Sequence, residues 1–212
     1  SEMCIRDRGL GLWLKKSFLA KFPRRNEWVE LEHGRVAVLH LDGEHGALDI
    51  YCIYLDTQSS EARQNSMKLI ADHMSHHTQA LSVMAGDFNF VEFTEDRWNL
   101  SAGEYSGGNN NNGADAEKFS NLLRTPFAFH EWDQPHYTHE DGKARSRLDR
   151  MYINQHISYQ FDHHCSCNVL DWDKDLSSHR PIVFSRKTPK PKLPGDKPLN
   201  PNIFGKMAGK RG

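Results

Sequence analysis

The 212-residue sequence lacks the features that place a protein in a membrane or outside the cell. No apolar run approaches the roughly 20 residues that span a bilayer, and no signal peptide opens the chain. Its four cysteines (Cys4, Cys52, Cys165 and Cys167) form no recognisable disulfide framework, which favours a reducing compartment. We therefore predict an intracellular protein, nuclear or cytoplasmic, without membrane contact.

The sequence also carries little net charge, with a formal value of -1 at pH 7. Residues 185–212 contain eight of the 27 Lys and Arg residues but one of the 28 acids, so the rest of the chain has a balance of -8. An acidic body argues against a broad surface that tracks nucleic-acid phosphates. It is compatible with a metal site, because metal sites concentrate carboxylates.

Three regions are predicted along the chain. Residues 1–9 have no helical or strand period and no initiator Met, and they resemble a translated sequencing adapter, so we predict a non-native opening there. Residues 10–186 have the size of one domain. In residues 187–212, five prolines are interleaved with lysines, which predicts a basic, extended tail or linker.

Strand and helix patterns alternate through the predicted domain, which indicates α/β architecture. Apolar and polar residues alternate on both sides of Asp42-Gly43, which predicts a β-hairpin over residues 28–55. A Ser cap followed by apolar residues at helical spacing predicts a helix within residues 59–78. The apolar residues are Met67, Ile70, Ala71 and Met74.

The remaining segments are predicted from shorter patterns. Residues 9–18 have the composition of a strand, with nothing before them to pair with. The Gly- and Asn-rich residues 101–115 predict a flexible loop, and residues 116–127 predict a short amphipathic helix that Pro126 stops. Further strands are predicted within residues 146–154 and 179–187.

A carboxylate and a carboxamide end the apolar run Val83–Phe90. In a strand, side chains alternate between the two faces, so Asp87 and Asn89 are predicted to point one way and Phe88 and Phe90 the other. Polar groups at the carboxyl end of a buried strand are typical of ligand sites in α/β proteins. An ordinary turn after the strand is the alternative.

Two later strands also carry polar residues at one end. Residues 146–154 (SRLDRMYIN) contain Asp149, and residues 176–184 (LSSHRPIVF) contain His179. Together with Asp87 and Asn89 they supply two carboxylates, an amide and an imidazole. This set suits metal-assisted attack of water on a phosphodiester, in which acids hold the cation or accept a proton and the imidazole stabilises phosphate charge.

The order of these motifs, GDFN, SRLDR and S-x-H-x-P, resembles the endonuclease/exonuclease/phosphatase family over roughly residues 12–184. This resemblance implies a four-layer α/β sandwich of two packed sheets. Residues 137–152 (YTHEDGKARSRLDRMY) are most similar to the branch carried by non-LTR retrotransposons, whose members are relatives of the apurinic endonucleases. Since the family's first strands should precede residue 12, the resemblance implies an N-terminally truncated domain that lacks those strands.

The resemblance also implies roles for the matching residues. Asp87 matches the acid that activates the attacking water, and Asn89 matches the amide that orients water and phosphate. Asp149 matches the acid that orients His179, which contacts the scissile phosphate. Tyr54 stands where the family has a phosphate-contacting tyrosine, although the proline that usually follows is absent. Asp87 and Asn89 are the candidate ligands of Mg²⁺ or Mn²⁺.

Two departures from the family pattern lower the expected metal affinity. The family's Asn-bearing first strand and the Glu that is its principal metal ligand should both precede residue 12, where no match is found. Ser178 stands where the family has an Asp, and a serine cannot supply the charge that helps to hold a divalent cation. We therefore predict a weak or inactive enzyme.

Three further residues are candidate substrate contacts. Trp132 and Tyr137 lie in a segment whose aromatic rings could stack on unpaired bases. Arg147, in the SRLDR motif, is the third candidate. In an alternative interpretation, Arg147 or Arg150 is instead the ion-pair partner of Asp149.

The sequence thus predicts a Mg²⁺-dependent phosphodiester hydrolase, of the retroelement DNA endonuclease type, that leaves 3′-hydroxyl and 5′-phosphate ends. DNA is the expected partner, and the tail could lead to a reverse-transcriptase domain. One alternative is a phosphatase of the same fold that acts on a small phosphoester or phosphoinositide. Another is a catalytically silent domain that binds nucleic acid or protein.

Overall fold

The computed structural model describes residues 2–7, 10–76, 80–107, 111–155, 165–171, 175 and 177–186. The predicted tail, residues 187–212, lies outside these described residues. Within the described ranges, no helix is both long and apolar enough to cross a membrane.

Three α-helices and fourteen strands are found in the described residues. The helices are α1 (Lys16–Leu19), α2 (Ser60–Ser75) and α3 (Asn111–Phe119), which continues into a π-helical turn at Ser120–Arg124. A 3₁₀ turn lies at Thr94–Asp96. The strands are β1 (Glu2–Asp7), β2 (Leu10–Lys15), β3 (Arg25–Glu32), β4 (Val36–Gly43), β5 (Gly46–Tyr54), β6 (Leu81–Asp87), β7 (Arg97–Asn99), β8 (Glu104–Tyr105), β9 (His130–Glu131), β10 (His139–Glu140), β11 (Ala144–Ser146), β12 (Asp149–Ile153), β13 (Cys165–Val169) and β14 (Ile182–Arg186).

A six-stranded sheet in the order β3-β4-β5-β6-β12-β9 forms the centre of the fold. Neighbouring strands within this sheet are antiparallel, except that β5 and β6 are parallel and are joined by α2. A second sheet has four strands, in the order β10-β11-β7-β8. Two further sheets have two strands each: β1 pairs with β2, and β13 pairs with β14.

The predicted hairpin is confirmed as strands β4 and β5. Gly43 pairs with Gly46, so Glu44 and His45 form the turn, just after the predicted Asp42-Gly43. Residues 36–41 are all buried, which shows that β4 is covered on both faces of the sheet. These residues are apolar except His40, as expected for a strand buried on both faces.

The predicted helix is confirmed as α2, which covers one face of the central sheet. Ser59 caps the helix, because its hydroxyl oxygen accepts the Ala62 N–H at 3.1 Å. Met67, Ile70 and Met74 are buried against the sheet in one continuous core with apolar residues of β4, β5, β6 and β12. Burial of side chains of this size contributes roughly 1.5–3 kcal/mol each.

The opposite face of the same sheet is covered by the two-stranded sheets. Leu12 and Leu14 of β2 pack with Leu39 of β4, which points away from α2. At the other end of the sheet, Cys167 of β13 packs with Met151 of β12. Helices, central sheet and a second β layer therefore stack in sequence, and the predicted α/β sandwich is confirmed.

The N-terminal strand prediction requires a correction. The strand β2 ends at Lys15 and is followed by the short helix α1, and it does have a partner: β1, Glu2–Asp7, pairs with it in antiparallel register. The opening residues show no side-chain alternation in the sequence. A two-stranded ribbon is joined by backbone hydrogen bonds, which any non-proline residue can make, so the pattern could not reveal β1.

The predicted loop at residues 101–115 also requires a correction. It contains the short strand β8, and α3 begins at Asn111 within the asparagine run. Asp115 is fully buried and accepts hydrogen bonds from Arg63 Nη2 at 2.6 Å and Ser60 Oγ at 2.5 Å, both on α2. This buried ion pair anchors the first turns of α3, and tertiary contacts of this kind override weak helix propensity.

Replacement of Gly86 by Ala is expected to lower the free energy of unfolding by about 3 kcal/mol or more. Gly86 has a φ of +141°, and a Cβ at this position would lie 2.0 Å from the Ile53 carbonyl oxygen of the adjacent strand. The control is Gly103→Ala, where φ is +66° but nothing lies within 4 Å of an added Cβ. We expect it to cost about 1 kcal/mol. Equal losses for both variants in urea unfolding would contradict the proposed close approach.

Candidate active site

Three polar residues form a row across the end of the central sheet. In the parallel pair β5/β6, Tyr54 lies opposite Asp87, and in the antiparallel pair β6/β12, Asp87 lies opposite Asp149. All three line one cleft of about 670 Å³ together with Asn89 and His179. The structure therefore brings together the five residues predicted to be catalytic.

A turn, rather than strand alternation, places Asn89 beside Asp87. The strand β6 ends at Asp87, and Asn89 has a φ of 50°. Asn89 donates its backbone N–H to Asp87 Oδ1 and its Nδ2 to Asp87 Oδ2, both at 3.0 Å, and Nδ2 also donates to the Leu55 carbonyl at 2.9 Å. Phe88 and Phe90 are buried, as predicted. The sequence thus predicted correctly that the side chains of Asp87 and Asn89 lie together. A turn after β6, and not alternation along a strand, brings them together.

His179, in the segment before β14, lies next to both carboxylates. Its Nδ1 lies 2.8 Å from Asp149 Oδ2, and its Nε2 lies 3.8 Å from Asp87 Oδ2. The alternative partners of Asp149 are excluded, because Arg147 and Arg150 pair with Asp96 instead. Asp149 thus orients the imidazole, which in turn faces Asp87.

The environment shifts the pKa values of this group. Burial, and then the neighbouring charge of Asp149, raise the pKa of Asp87 to about 6. The hydrogen bond that the His179 imidazole donates to the Asp149 carboxylate raises the pKa of His179. Burial, and then the neighbouring His179, lower the pKa of His139. A carboxyl group with a raised pKa beside an imidazole whose pKa is also raised is typical of sites for acid–base chemistry.

Asp87, Asp149 and His179 also fit a divalent cation. One ligand atom from each lies within 4.8 Å of the others. Burial and then the charge of Asp149 disfavour the ionised form of Asp87, and a cation between the two carboxylates would offset both effects. Carboxylate oxygens and imidazole nitrogens are common ligands of divalent metals.

Six further residues of the described chain line the cleft and were not among the predicted site residues: Thr57, Arg97, His139, Asp141, Ser146 and Leu148. Arg97 donates its Nε to Ser146 Oγ at 3.0 Å, across the pair β7/β11. The rings of His139 and His179 lie with their centroids 4.6 Å apart. Ser146 and Leu148 lie within the SRLDR motif, and His139 and Asp141 lie in the segment before it, but nothing in the sequence assigned them to the site.

The structure does not bring two of the predicted substrate contacts to the cleft. Arg147 makes ion pairs with Asp96 and Glu131 at 2.6 and 2.5 Å. Trp132 is buried, with its ring centroid 4.0 Å from that of Phe184. Both side chains join neighbouring elements within the described residues and do not line the cleft.

Tyr137 and Ser178 lie nearer to the predicted site. Tyr137 is half-buried and borders a second cavity of about 530 Å³, which shares His139 with the first cleft. Arg145 and Arg180 also line this second cavity. Ser178 lines the first cleft and is exposed, so the position that would carry an acid in the family pattern does face the site.

No protein-family model and no curated protein matches the sequence. Solved structures do match. The endonuclease domain of TRAS1, a telomere-specific non-LTR retrotransposon, is 14% identical with a TM-score of 0.53, over 78% of this chain and 70% of that one. D. rerio TDP2, in complex with a single-strand DNA product, is 14% identical with a TM-score of 0.53, over 89% and 78% of the two chains.

A third match is the 3′ phosphatase NExo from Neisseria, bound to a product DNA hairpin. It is 14% identical with a TM-score of 0.50, over 74% of this chain and 66% of that one. At this identity the likeness concerns the fold alone. The chain therefore has the endonuclease/exonuclease/phosphatase fold.

Proposed function

We propose that this protein is a metal-dependent phosphodiester hydrolase that nicks DNA, of the retroelement endonuclease type. The observation that carries the proposal is the convergence of Asp87, Asn89, Asp149 and His179 on one cleft. Support for DNA as the substrate comes from the similar structures, since TDP2 and NExo are both bound to DNA products. Support for the retroelement type comes from the SRLDRMYIN motif and the likeness to the TRAS1 domain.

In the proposed reaction, Asp87 accepts a proton from the attacking water. In the metal-free protein the pKa of Asp87 is about 6, so its carboxylate is ionised at neutral pH and available to accept a proton. Asn89 fixes the Asp87 carboxylate through two hydrogen bonds. The water oxygen attacks phosphorus, the P–O3′ bond breaks, and the 3′ oxygen leaves as a hydroxyl after it takes up a proton.

His179 and Tyr54 are the proposed phosphate contacts. The hydrogen bond with Asp149 favours the protonated imidazole, whose positive charge stabilises the charge that develops on the phosphate oxygens. Tyr54 lines the cleft opposite Asp87, with the Arg35 guanidinium 4.9 Å from the centre of its ring. Tyr137, beside the second cavity, remains a candidate for contact with a flanking nucleotide.

Asp87 and Asn89 are the proposed ligands of Mg²⁺ or Mn²⁺. The Asn89 amide nitrogen is directed to Asp87 and to the Leu55 carbonyl, so the amide oxygen is the atom that it can offer to a cation. A bound cation would neutralise charge on the phosphate under attack. Because Ser178 supplies no carboxylate, we expect weak cation binding and slow hydrolysis.

The test of the proposed function uses a duplex oligonucleotide labelled at its 5′ end, incubated with the protein and MgCl₂. We expect slow nicking whose 3′ ends a DNA polymerase can extend, because hydrolysis leaves a 3′-hydroxyl. Phosphate release from inositol phosphates without nicking would favour the phosphatase alternative. Binding of the duplex with no product from either substrate would favour a silent binding domain. Either result would reject the proposal.

Replacement of Ser178 by Asp is expected to strengthen Mg²⁺ binding about 10-fold and to raise the nicking rate by a similar factor. Ser178 is exposed at the cleft, so a carboxylate can be added without a buried charge. Ser178→Asn is the matched control, because it has the same shape without the charge, and we expect no gain. The measurement is a Mg²⁺ titration of the nicking rate. Equal rates for both variants would show that the charge at this position is not the limiting feature.

A further inference from the structure

The backbone around His139 is tied to the backbone around His179. The two residues form a β-bridge between β10 and the segment before β14. On either side of it, the Arg180 N–H donates to the Thr138 carbonyl at 2.7 Å, and the Glu140 N–H donates to the Ser178 carbonyl at 3.2 Å. The two histidines are therefore held side by side through their main chains, independently of their side chains.

The side chain of His139 lies against the His179 ring. The ring centroids are 4.6 Å apart and the ring planes are inclined by 52°. Among the described residues, His139 makes no side-chain hydrogen bond, so the ring itself provides its contact with the site. Contact through a ring face or edge does not require a ring nitrogen.

The orientation of the His179 ring needs more than one contact. Its hydrogen bond with Asp149 fixes the position of Nδ1, but the ring can still tilt about the line that joins it to the carboxylate oxygen. A tilt of this kind would move Nε2, which lies 3.8 Å from Asp87 Oδ2, away from the cleft. The ring of His139 occupies the space beside it and blocks that movement.

We propose that His139 is a positioning residue, whose ring holds the His179 imidazole in the orientation that directs Nε2 to Asp87 and the cleft. The effect of His139 on nicking rests on the proposed function. Its effect on the ring of His179 does not, and can be measured in a protein that has no activity. The important property of His139 is a flat ring of the right size, so Phe should replace it.

The test compares His139→Phe, His139→Ala and His139→Gln with the unchanged protein. His45→Ala is the control, because His45 is an exposed histidine in the β4–β5 turn at the opposite end of β5 from the cleft. The first readout is the pair of ring ¹⁵N signals of His179 in metal-free protein, which report the tautomer and the hydrogen bond with Asp149. The second readout is kcat and KM for nicking.

We expect His139→Phe and His45→Ala to keep the His179 signals and to change kcat by less than about 3-fold. His139→Ala and His139→Gln should shift the His179 signals and lower kcat about 10- to 100-fold with little change in KM, as for other residues that orient a site from behind. Recovery by Phe but not by Gln would distinguish a positioning ring from a polar contact.

Two results would overturn the proposal. If His139→Phe loses as much activity as His139→Ala, mainly through a higher KM, a nitrogen of His139 contacts the substrate and is not a positioning group. If the His179 signals are the same in all variants, His139 does not orient that ring. If the unchanged protein has no activity at all, the proposed function fails, and the ¹⁵N signals still decide the role of His139.

Discussion

Asp87→Asn is expected to lower the nicking rate by about 10³-fold or more, because it removes both the proposed base and a metal ligand. The same substitution is expected to stabilise the metal-free protein. Asp87 is 13% exposed and faces the charge of Asp149, so its ionised form is unfavourable in the folded state. Asn has nearly the same shape without the charge. Loss of function with a gain in stability would identify a site selected for chemistry rather than for folding.

The sign of the pH dependence follows from the pKa of Asp87. It is about 6 in the folded protein, above the value of about 3.9 for an unperturbed Asp, so the unfolded chain releases this proton first. In metal-free protein the contribution of Asp87 to stability should therefore fall as the pH rises from about 4 to about 6, and stay at the lower level above that. Asp87→Asn should not show this loss.

The expected gain for Asp87→Asn is about 1–2 kcal/mol at pH 7.5, since relief of the unfavourable charge exceeds the loss of one hydrogen bond. Urea unfolding in EDTA measures it, because EDTA removes any cation that would stabilise the wild-type site. A variant that is less stable than the wild type at pH 7.5 would contradict the account of Asp87 as a destabilised carboxylate.

Arg150→Met is expected to lower the free energy of unfolding by about 3–5 kcal/mol, because it removes a fully buried cation that pairs with Asp96 and Glu92 and leaves only Arg147 to balance the buried Asp96. Arg150 is completely buried in the described structure. Its guanidinium lies 2.6 Å from Asp96 Oδ2 and 3.6 Å from Glu92 Oε2. Burial acts to raise the pKa of Asp96, but Arg150 and then Arg147 outweigh it and lower that pKa. The arginine thus keeps a buried carboxylate ionised.

The matched control is Arg145→Met, which removes an exposed ion pair. The Arg145 side chain is 50% exposed and pairs with Glu140 at 2.7 Å, so its loss should cost less than about 1 kcal/mol. In thermal unfolding, Arg150→Met should lower the midpoint by about 6–20 °C. Similar small shifts for both variants would show that the buried network contributes little to stability.

Helices and strands whose buried residues recur at a regular spacing could be predicted from the sequence. The amphipathic helix α2 and the hairpin β4–β5 were both predictable, because apolar residues repeat at helical spacing in one and alternate in the other. The strand β1 and the start of α3 were not. The first is held by backbone pairing, and the second by an ion pair between Asp115 and Arg63, residues 52 positions apart.

The residues of the candidate site likewise include some that the sequence could identify and some that it could not. Asp87, Asn89, Asp149 and His179 could be identified because each lies in a motif at a strand end. His139 could not, because its importance arises from a β-bridge to a residue 40 positions away in the sequence. Long-range pairing of this kind leaves no local pattern.

The two arginines of the SRLDR motif contact an acid that the sequence did not identify as their partner. Asp96, in a turn without any recognisable motif, is the acid that Arg147 and Arg150 contact. Nothing in the local sequence of residues 94–96 distinguishes a buried acid from an exposed one. The ion pairs therefore became visible only in the folded structure.

The most direct test of the central claim is the nicking of supercoiled plasmid by this protein as a function of Mg²⁺ concentration, with EDTA and Asp87→Asn as controls. We expect slow conversion to the relaxed circle that increases with Mg²⁺ and is lost in both controls. No conversion at any Mg²⁺ concentration, by protein shown to be folded, would contradict the claim that this cleft hydrolyses phosphodiesters. If the Asp87→Asn variant still converted the plasmid, the nicking activity would not come from this cleft.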